Sequence, residues 1–131
     1  MEKWLGRYSA HLYALLRIVA GLMFALHGTQ KLFGWPGGKA AATAPLMMFA
    51  GAIELGGGLL IAIGLLTSFA AFLSSGTMAV AYFWRHAPEG FLPIVNKGEL
   101  AVLYCFVFLF IAAYGAGIWS VDAARRRGGR R

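Results

Sequence analysis

The residues able to do chemistry gather in four stretches: Arg17, His27, Gln30 and Lys31; then Glu54; then Arg85 and His86; then Asn96, Lys97 and Glu99. Imidazole, carboxylate and ammonium groups in one place suit proton transfer, capture of a small anion, or hydrogen bonding to the polar head of a quinone. Glu54, Glu99 and His27 are the candidate catalytic groups, because acids set in apolar sequence serve as proton relays and imidazole titrates near neutrality. Arg17, Gln30, Lys31, Arg85, His86 and Asn96 are the candidate substrate-binding groups. His27 and His86 have the ligand type for haem, but two histidines at one depth do not make a haem site, and haem is not expected. His27, His86, Glu54 and Glu99 lack the dense His-x-x-x-His spacing of a metal centre, so no metal is expected either. The single cysteine, Cys105, excludes an internal disulfide, a CxxC redox pair and a thiolate zinc cage within one chain. Redox chemistry would need a borrowed group, and quinone is the candidate.

The elements that position these groups follow from composition. Of 131 residues, 60% are hydrophobic and 13% charged, against about 25% charged in an ordinary soluble domain. Mean hydropathy is +0.68. At about 20 apolar residues per crossing, the chain predicts an all-α, four-helix transmembrane bundle as one domain over residues 1–131. The spans fall at residues 12–33, 46–66, 67–86 and 100–119, followed by a basic tail at 123–131. A cleaved leader competes for the first span, but that stretch is too long and too interrupted for a signal core. Pro45 suits the first turn of the second helix. Thr67 or Ser68 would cap the next, making spans two and three a tight hairpin. Trp35, Trp84 and Trp119 fall at span ends, where indoles sit among headgroups.

Seven basic residues flank the two chain ends, Lys3, Arg7, Arg125, Arg126, Arg127, Arg130 and Arg131, against four near the opposite links, Lys31, Lys39, Arg85 and Lys97. By the positive-inside rule both termini are cytoplasmic. The arginine tail is expected to meet anionic lipid, not nucleic acid.

Helical periodicity places Arg17, Gly21, Phe24, Gly28 and Lys31 on one stripe of span one, with His27 beside it. In span two Glu54 shares a close-packed face with Gly51 and the run Gly56-Gly57-Gly58. Arg17 and Glu54 are the expected partners, across a depth gap of about 10 Å that a long arginine would close. The outer groups should converge into one cationic pocket walled by Phe24, Phe33, Tyr82, Phe83 and Phe91, with residues 87–98 folding back as a lid. Gly21 and Gly28, or Gly57 and Gly64, are candidates for a homodimer contact.

Arg17-Ile18-Val19-Ala20-Gly21-Leu22-Met23-Phe24, followed by His27-Gly28-Thr29-Gln30-Lys31-Leu32-Phe33-Gly34, resembles the first helix of DoxX-type membrane proteins. Glu54-Leu55-Gly56-Gly57-Gly58-Leu59-Leu60-Ile61-Ala62-Ile63-Gly64-Leu65 is similar to the family's second helix. Met78 to His86, with Asn96-Lys97-Gly98-Glu99, is similar to its third helix and following loop. The resemblance implies a four-helix protein of the bacterial inner membrane. It also implies an association with redox work, including the related DoxD type in thiosulfate-to-quinone electron transfer and complexes that couple thiol chemistry to oxidative-stress defence. With one cysteine, a disulfide-relay role does not carry over. Two functions stay open: a quinone-linked oxidoreductase subunit with redox protein partners, or a non-enzymatic docking partner or small-solute transporter.

Overall fold

The computed structural model describes residues 1–38 and 40–129, so Lys39, Arg130 and Arg131 of the basic count lie outside the described residues. The described chain is all-α, with no strand among the described residues: α1 (Glu2–Leu5), α2 (Ser9–Phe33), α3 (Pro45–Ile63), α4 (Thr67–Ala81), α5 (Pro93–Asn96), α6 (Glu99–Tyr114) and α7 (Val121–Gly128). Within it, Glu2–Phe33 and Pro45–Ile63 are long and apolar enough to cross a membrane, and Glu99–Tyr114 is a shorter apolar helix. Helix α2 packs on α3, α3 on α4, and α4 on α6.

The packing is inverted relative to a water-soluble core. Arg17, Glu54, Thr67, Ser74 and Asn96 are fully buried, whereas Leu22, Phe69, Phe72, Phe83, Phe106 and Phe110 face outward. An apolar exterior of this extent needs an apolar surrounding. What holds α2 to α3 is backbone proximity. A Cβ on Gly58 would stand 2.5 Å from Ala25 N and Gly21 O, and one on Gly21 would stand 2.7 Å from Ala62 N and Gly58 O. Gly28 meets the backbone of Leu55 and Gly51 in the same way. These glycines are spent inside one chain, Gly57 lies against Ser74, and Gly64 lies against Ser120. None of the four glycines expected to line a homodimer contact is free to do so.

Two helices end earlier than hydropathy suggests. Helix α3 stops at Ile63, where Gly64 turns left-handed at φ 73°, instead of running to Leu66. Helix α6 stops at Tyr114, before Gly115 and Gly117 at φ 92° and 66°, instead of running to Trp119. Pro45 does occupy the first turn of α3. Beyond α4 the chain continues as a wider π turn over Tyr82–His86. Within α4, Ser75 Oγ donates to Cys105 O on α6 at 2.8 Å, and Thr77 Oγ1 donates to Leu73 O at 2.9 Å.

Neither Thr67 nor Ser68 caps α4. Asp122, in the first turn of α7, accepts from the backbone N–H of Leu66 and Thr67, each at 3.0 Å, and from the Thr67 hydroxyl at 2.9 Å. The Asp122 backbone N–H in turn donates to Gly64 O at 2.9 Å. The start of α7 thereby clasps the turn between α3 and α4, and the carboxylate sits at a helix N-terminus, where negative charge is favourable. Desolvation raises the Asp122 carboxyl, but the bonds from Thr67 and Leu66 and the charge of Arg126 outweigh it and hold it below the ordinary range. A depressed carboxyl contributes stability that is present above its unfolded value and lost as pH falls through the folded one. Asp122→Asn is therefore expected to lower melting temperature at neutral pH and flatten its fall in acid. An unchanged acid limb in a pH series of detergent melts would remove the clasp from the stability of the fold.

Candidate functional site

Arg17 does not pair with Glu54. Its guanidinium donates to Ile61 O at 2.6 Å and Ala62 O at 2.7 Å in the last turn of α3, and to Trp119 O at 2.7 Å and Ile118 O at 3.3 Å beyond α6. Helix ends leave carbonyls without partners, and a buried cation is well placed to take them. Tyr13, one turn earlier on α2, donates to Gly115 O in the same segment. This end of the molecule ties the last turn of α3 to the segment after α6, and among the described residues all the hydrogen-bond partners of Arg17 are backbone carbonyls.

The partner of Glu54 is Lys31, four residues beyond His27 on α2. The interlock of Gly28 with Gly51 and Leu55 sets the register: the Lys31 Cβ lies against Gly51, which places its ammonium on Glu54 Oε1, one turn further along α3. Lys31 keeps a side chain 27% exposed while Glu54 is 2% exposed, so the pair runs from the surface to the interior. The second carboxylate oxygen, Oε2, is buried with no partner, and so are the Tyr104 hydroxyl on α6 and Ser74 Oγ on α4. Glu54 and Tyr104 lie within electrostatic reach of one another. The Tyr104 ring meets the edge of His27 at 6.0 Å and packs on Phe24 and Phe108, each at 5.3 Å between centroids. Sequence reasoning missed Tyr104 because a tyrosine in an apolar run reads as wall, not as a hydroxyl.

Of the other expected groups, Gln30 donates to Pro36 O at 3.0 Å and, with His27, Met23, Leu26 and Pro36, lines a shallow cleft of about 220 Å³ on the outer side of α2. Arg85 is exposed and pairs with Glu89 at 3.2 Å. Asn96 is buried and fully committed: its amide donates to Gly90 O at 2.7 Å and the Tyr82 hydroxyl at 3.1 Å, and its oxygen accepts from Gly98 N at 2.8 Å. The ring nitrogen Nδ1 of His86 bonds Asn96 O at 3.0 Å. Asn96 therefore locks the link from α4 to α6. Glu99 opens α6 and is exposed.

The single convergent pocket is thus replaced by two groups. His27, Lys31, Glu54 and Tyr104 form one, and Tyr82, His86, Gly90 and Asn96 form the other. No hydrogen bond or ion pair joins them among the described residues. Nor do the expected aromatic walls surround a shared cavity: Phe24 is core, while Phe33, Phe83 and Phe91 point outward. Among the described residues no three His, Cys, Asp or Glu side chains gather where a metal ion would need them.

A family model described as DoxX matches residues 12–87. The chain belongs to the DoxX family. This DoxX chain is also 45% identical, over 125 residues, to an uncharacterized protein of Haemophilus influenzae, with 90% of this chain and 93% of that relative covered. No solved structure matches it. The DoxX match takes in α2, α3, α4 and the π turn, and with them His27, Lys31, Glu54, Arg85 and His86, while Asn96, Glu99 and Tyr104 lie beyond it. As a DoxX-type chain with an apolar exterior and two helical stretches long enough to span, it is a membrane protein in contact with lipid.

Proposed function

We propose that this DoxX protein is a multi-pass protein of the bacterial inner membrane in which α2, α3, α4 and α6 cross as a four-helix bundle with both termini cytoplasmic. The basic flanks support that orientation. Helix α6 has 16 residues, about 24 Å against a hydrocarbon core of about 30 Å, so the adjoining chain completes its crossing.

Within this bundle the outer end of α2 carries the chemistry. Its role is redox-associated: a quinone or small sulfur-containing anion is bound by His27, Gln30 and Lys31, and Glu54 handles the accompanying proton. The observation that carries this reading is the half-used Glu54 carboxylate, with one oxygen on Lys31 and the other buried without a partner, as is the hydroxyl of Tyr104 within its electrostatic reach. A buried oxygen without a partner costs free energy that a purely structural ion pair would not spend. The Lys31–Glu54 pair is close to neutral as a unit, which favours the uncharged head of a quinone over a free anion. Arg85, His86 and Asn96 hold the outer link, and Glu99 receives protons at the surface.

Quinone reduction by thiosulfate or thiol donors, followed in vesicles containing the protein, tests the reading. Glu54→Gln preserves shape and removes the charge, and is expected to slow the reaction about 100-fold, as for loss of a general acid or base. An unchanged rate in folded Glu54→Gln protein would overturn it.

The runner-up is a non-enzymatic docking partner, favoured by one observation: Phe91, Leu92, Ile94 and Val95 on the outer link are all exposed, between 57% and 88%. Co-purification of the same redox protein by wild type and by Glu54→Gln, with no turnover from either, would select that reading.

A further inference from the structure

The buried polar atoms without partners are not scattered. Among the described residues they are Glu54 Oε2, Tyr104 OH, Ser74 Oγ and Arg17 Nε. The first three lie inward of the partly exposed Lys31. Glu54 hangs from Lys31, Tyr104 lies within its field, and Ser74 Oγ is seated against Gly57, one turn further along α3. The polar track then stops. The next residues inward on the same helices are Ile61 on α3 and Phe108 and Ile111 on α6, all completely buried in the central apolar cluster. Beyond them stands Arg17, fixed on backbone carbonyls of α3 and of the segment after α6. The interior is therefore polar from one face as far as Ser74 and sealed from the other by an apolar plug with a fixed positive charge behind it.

We propose that Glu54 is a proton-binding carboxyl with access from one side only: it exchanges protons with the face at which α2 ends and is closed to the face that carries both termini. In this step a proton from water at the Lys31 face bonds to Oε2, the carboxylate becomes a carboxylic acid, and the lysine ammonium keeps its hydrogen bond to Oε1. The pair passes from neutral to a single positive charge. No oxidant or second reactant is needed.

The groups that face Glu54 are consistent with this direction. Helix α2 contributes Lys31 directly and His27 through Tyr104, α6 contributes Tyr104, and α4 contributes only the uncharged Ser74. Glu99 lies at the exposed start of α6 on the Lys31 side, Cys105 is occupied with Ser75, and on the far side of the plug stand Arg17 and, within its electrostatic reach, the Asp122 carboxylate on the α3–α4 turn. A proton entering from the terminal face would have to pass a fixed guanidinium and then three fully apolar side chains. Charge in such surroundings is expensive.

The inference rests on the transmembrane reading above but not on a quinone, so a negative quinone assay leaves it standing. The test is infrared difference spectroscopy of the full chain in sealed vesicles, watching the protonated-carboxyl stretch while one face is acidified at a time. Orientation is read from trypsin cleavage of the Arg125–Arg127 tail. Loss of the band in Glu54→Gln assigns it, and a shifted band in Glu54→Asp covers failure of the first variant to fold. The expected result is a band that follows pH at the Lys31 face and ignores the terminal face. Phe108→Ser is expected to let both faces address it. A band that follows the terminal face in the wild type, follows both equally, or never forms while the protein stays folded overturns the proposal.

Discussion

Gly58→Ala is expected to destabilise the fold by about 3 kcal/mol, at the upper end of the usual cost of overpacking, while Gly56→Ala, two residues away on the same helix, stabilises it. The added methyl at Gly58 would stand 2.5 Å from Ala25 N and from Gly21 O, and 2.9 Å from Ala25 Cα. All three are backbone atoms, so no rotamer change relieves the clash and α2 would have to move away from α3 as a body. At Gly56 nothing lies within 4 Å. There the alanine brings only its helix propensity, worth up to about 1 kcal/mol. Opposite signs are therefore expected from the same chemical change. Thermal melts of both variants in mild detergent, read with size-exclusion profiles, check it. Two variants that melt alike would mean that α2 and α3 do not depend on backbone contact.

The functional consequence exceeds the stability change. Lys31 and Glu54 sit on the same interlock, so a displacement of α2 would move the ammonium away from the carboxylate before the chain unfolds. Gly58→Ala protein that survives purification is expected to lose turnover.

This interlock was legible in the sequence, since Gly21, Gly28, Gly51 and Gly58 fall on stripes by helical periodicity alone. Their partners were not. Periodicity fixes which face a residue occupies on its own helix, but the offset between two helices depends on which ridge enters which groove. Arg17 and Glu54 share the buried stripes and carry opposite charges, which made them attractive partners, yet their depths never agreed. Lys31 matches the depth of Glu54 and was read as part of the outer mouth because it stands near the end of its span. The helix ends were misplaced for a related reason. Residues 115–119 are apolar or glycine, and hydropathy does not register that Gly115 and Gly117 adopt positive φ and end α6. Asp122 stands three residues before a run of arginines, whose summed charge dominates any reading of this stretch and hides a single carboxylate. The outer link shows the opposite error: Asn96 looked like a ligand-binding residue because it is polar and sits beside Lys97 and Glu99, but its three amide bonds are spent on holding the link itself.

The second large effect belongs to Arg17. Arg17→Leu is expected to destabilise the protein by about 3–5 kcal/mol, the range for removing one side of a buried charged interaction. The loss has two parts. Ile61 O and Ala62 O end α3 and face the interior, where no water replaces the guanidinium, and an unsatisfied buried acceptor costs about 1–3 kcal/mol. Ile118 O and Trp119 O belong to the irregular segment that returns the chain to Asp122, so the same substitution also loosens the clasp on the α3–α4 turn. Arg17→Lys keeps the charge, but a single ammonium cannot span acceptors on two segments as a planar fork does. It is expected to recover part of the loss. The two anchors of this end should also differ in their response to acid. The Asp122 clasp weakens as its carboxyl protonates, whereas a guanidinium stays charged, so the loss at Ile61 O and Ala62 O should persist across the pH range, while the part of the Arg17→Leu effect that runs through the clasp should fade in acid. Melting temperatures of both lines as a function of pH, with Trp119 fluorescence as the local reporter in a background where Trp4, Trp35 and Trp84 are replaced by Phe, separate the two. An Arg17→Leu protein as stable as wild type would mean that the four carbonyl bonds do not hold α3 to the chain beyond α6.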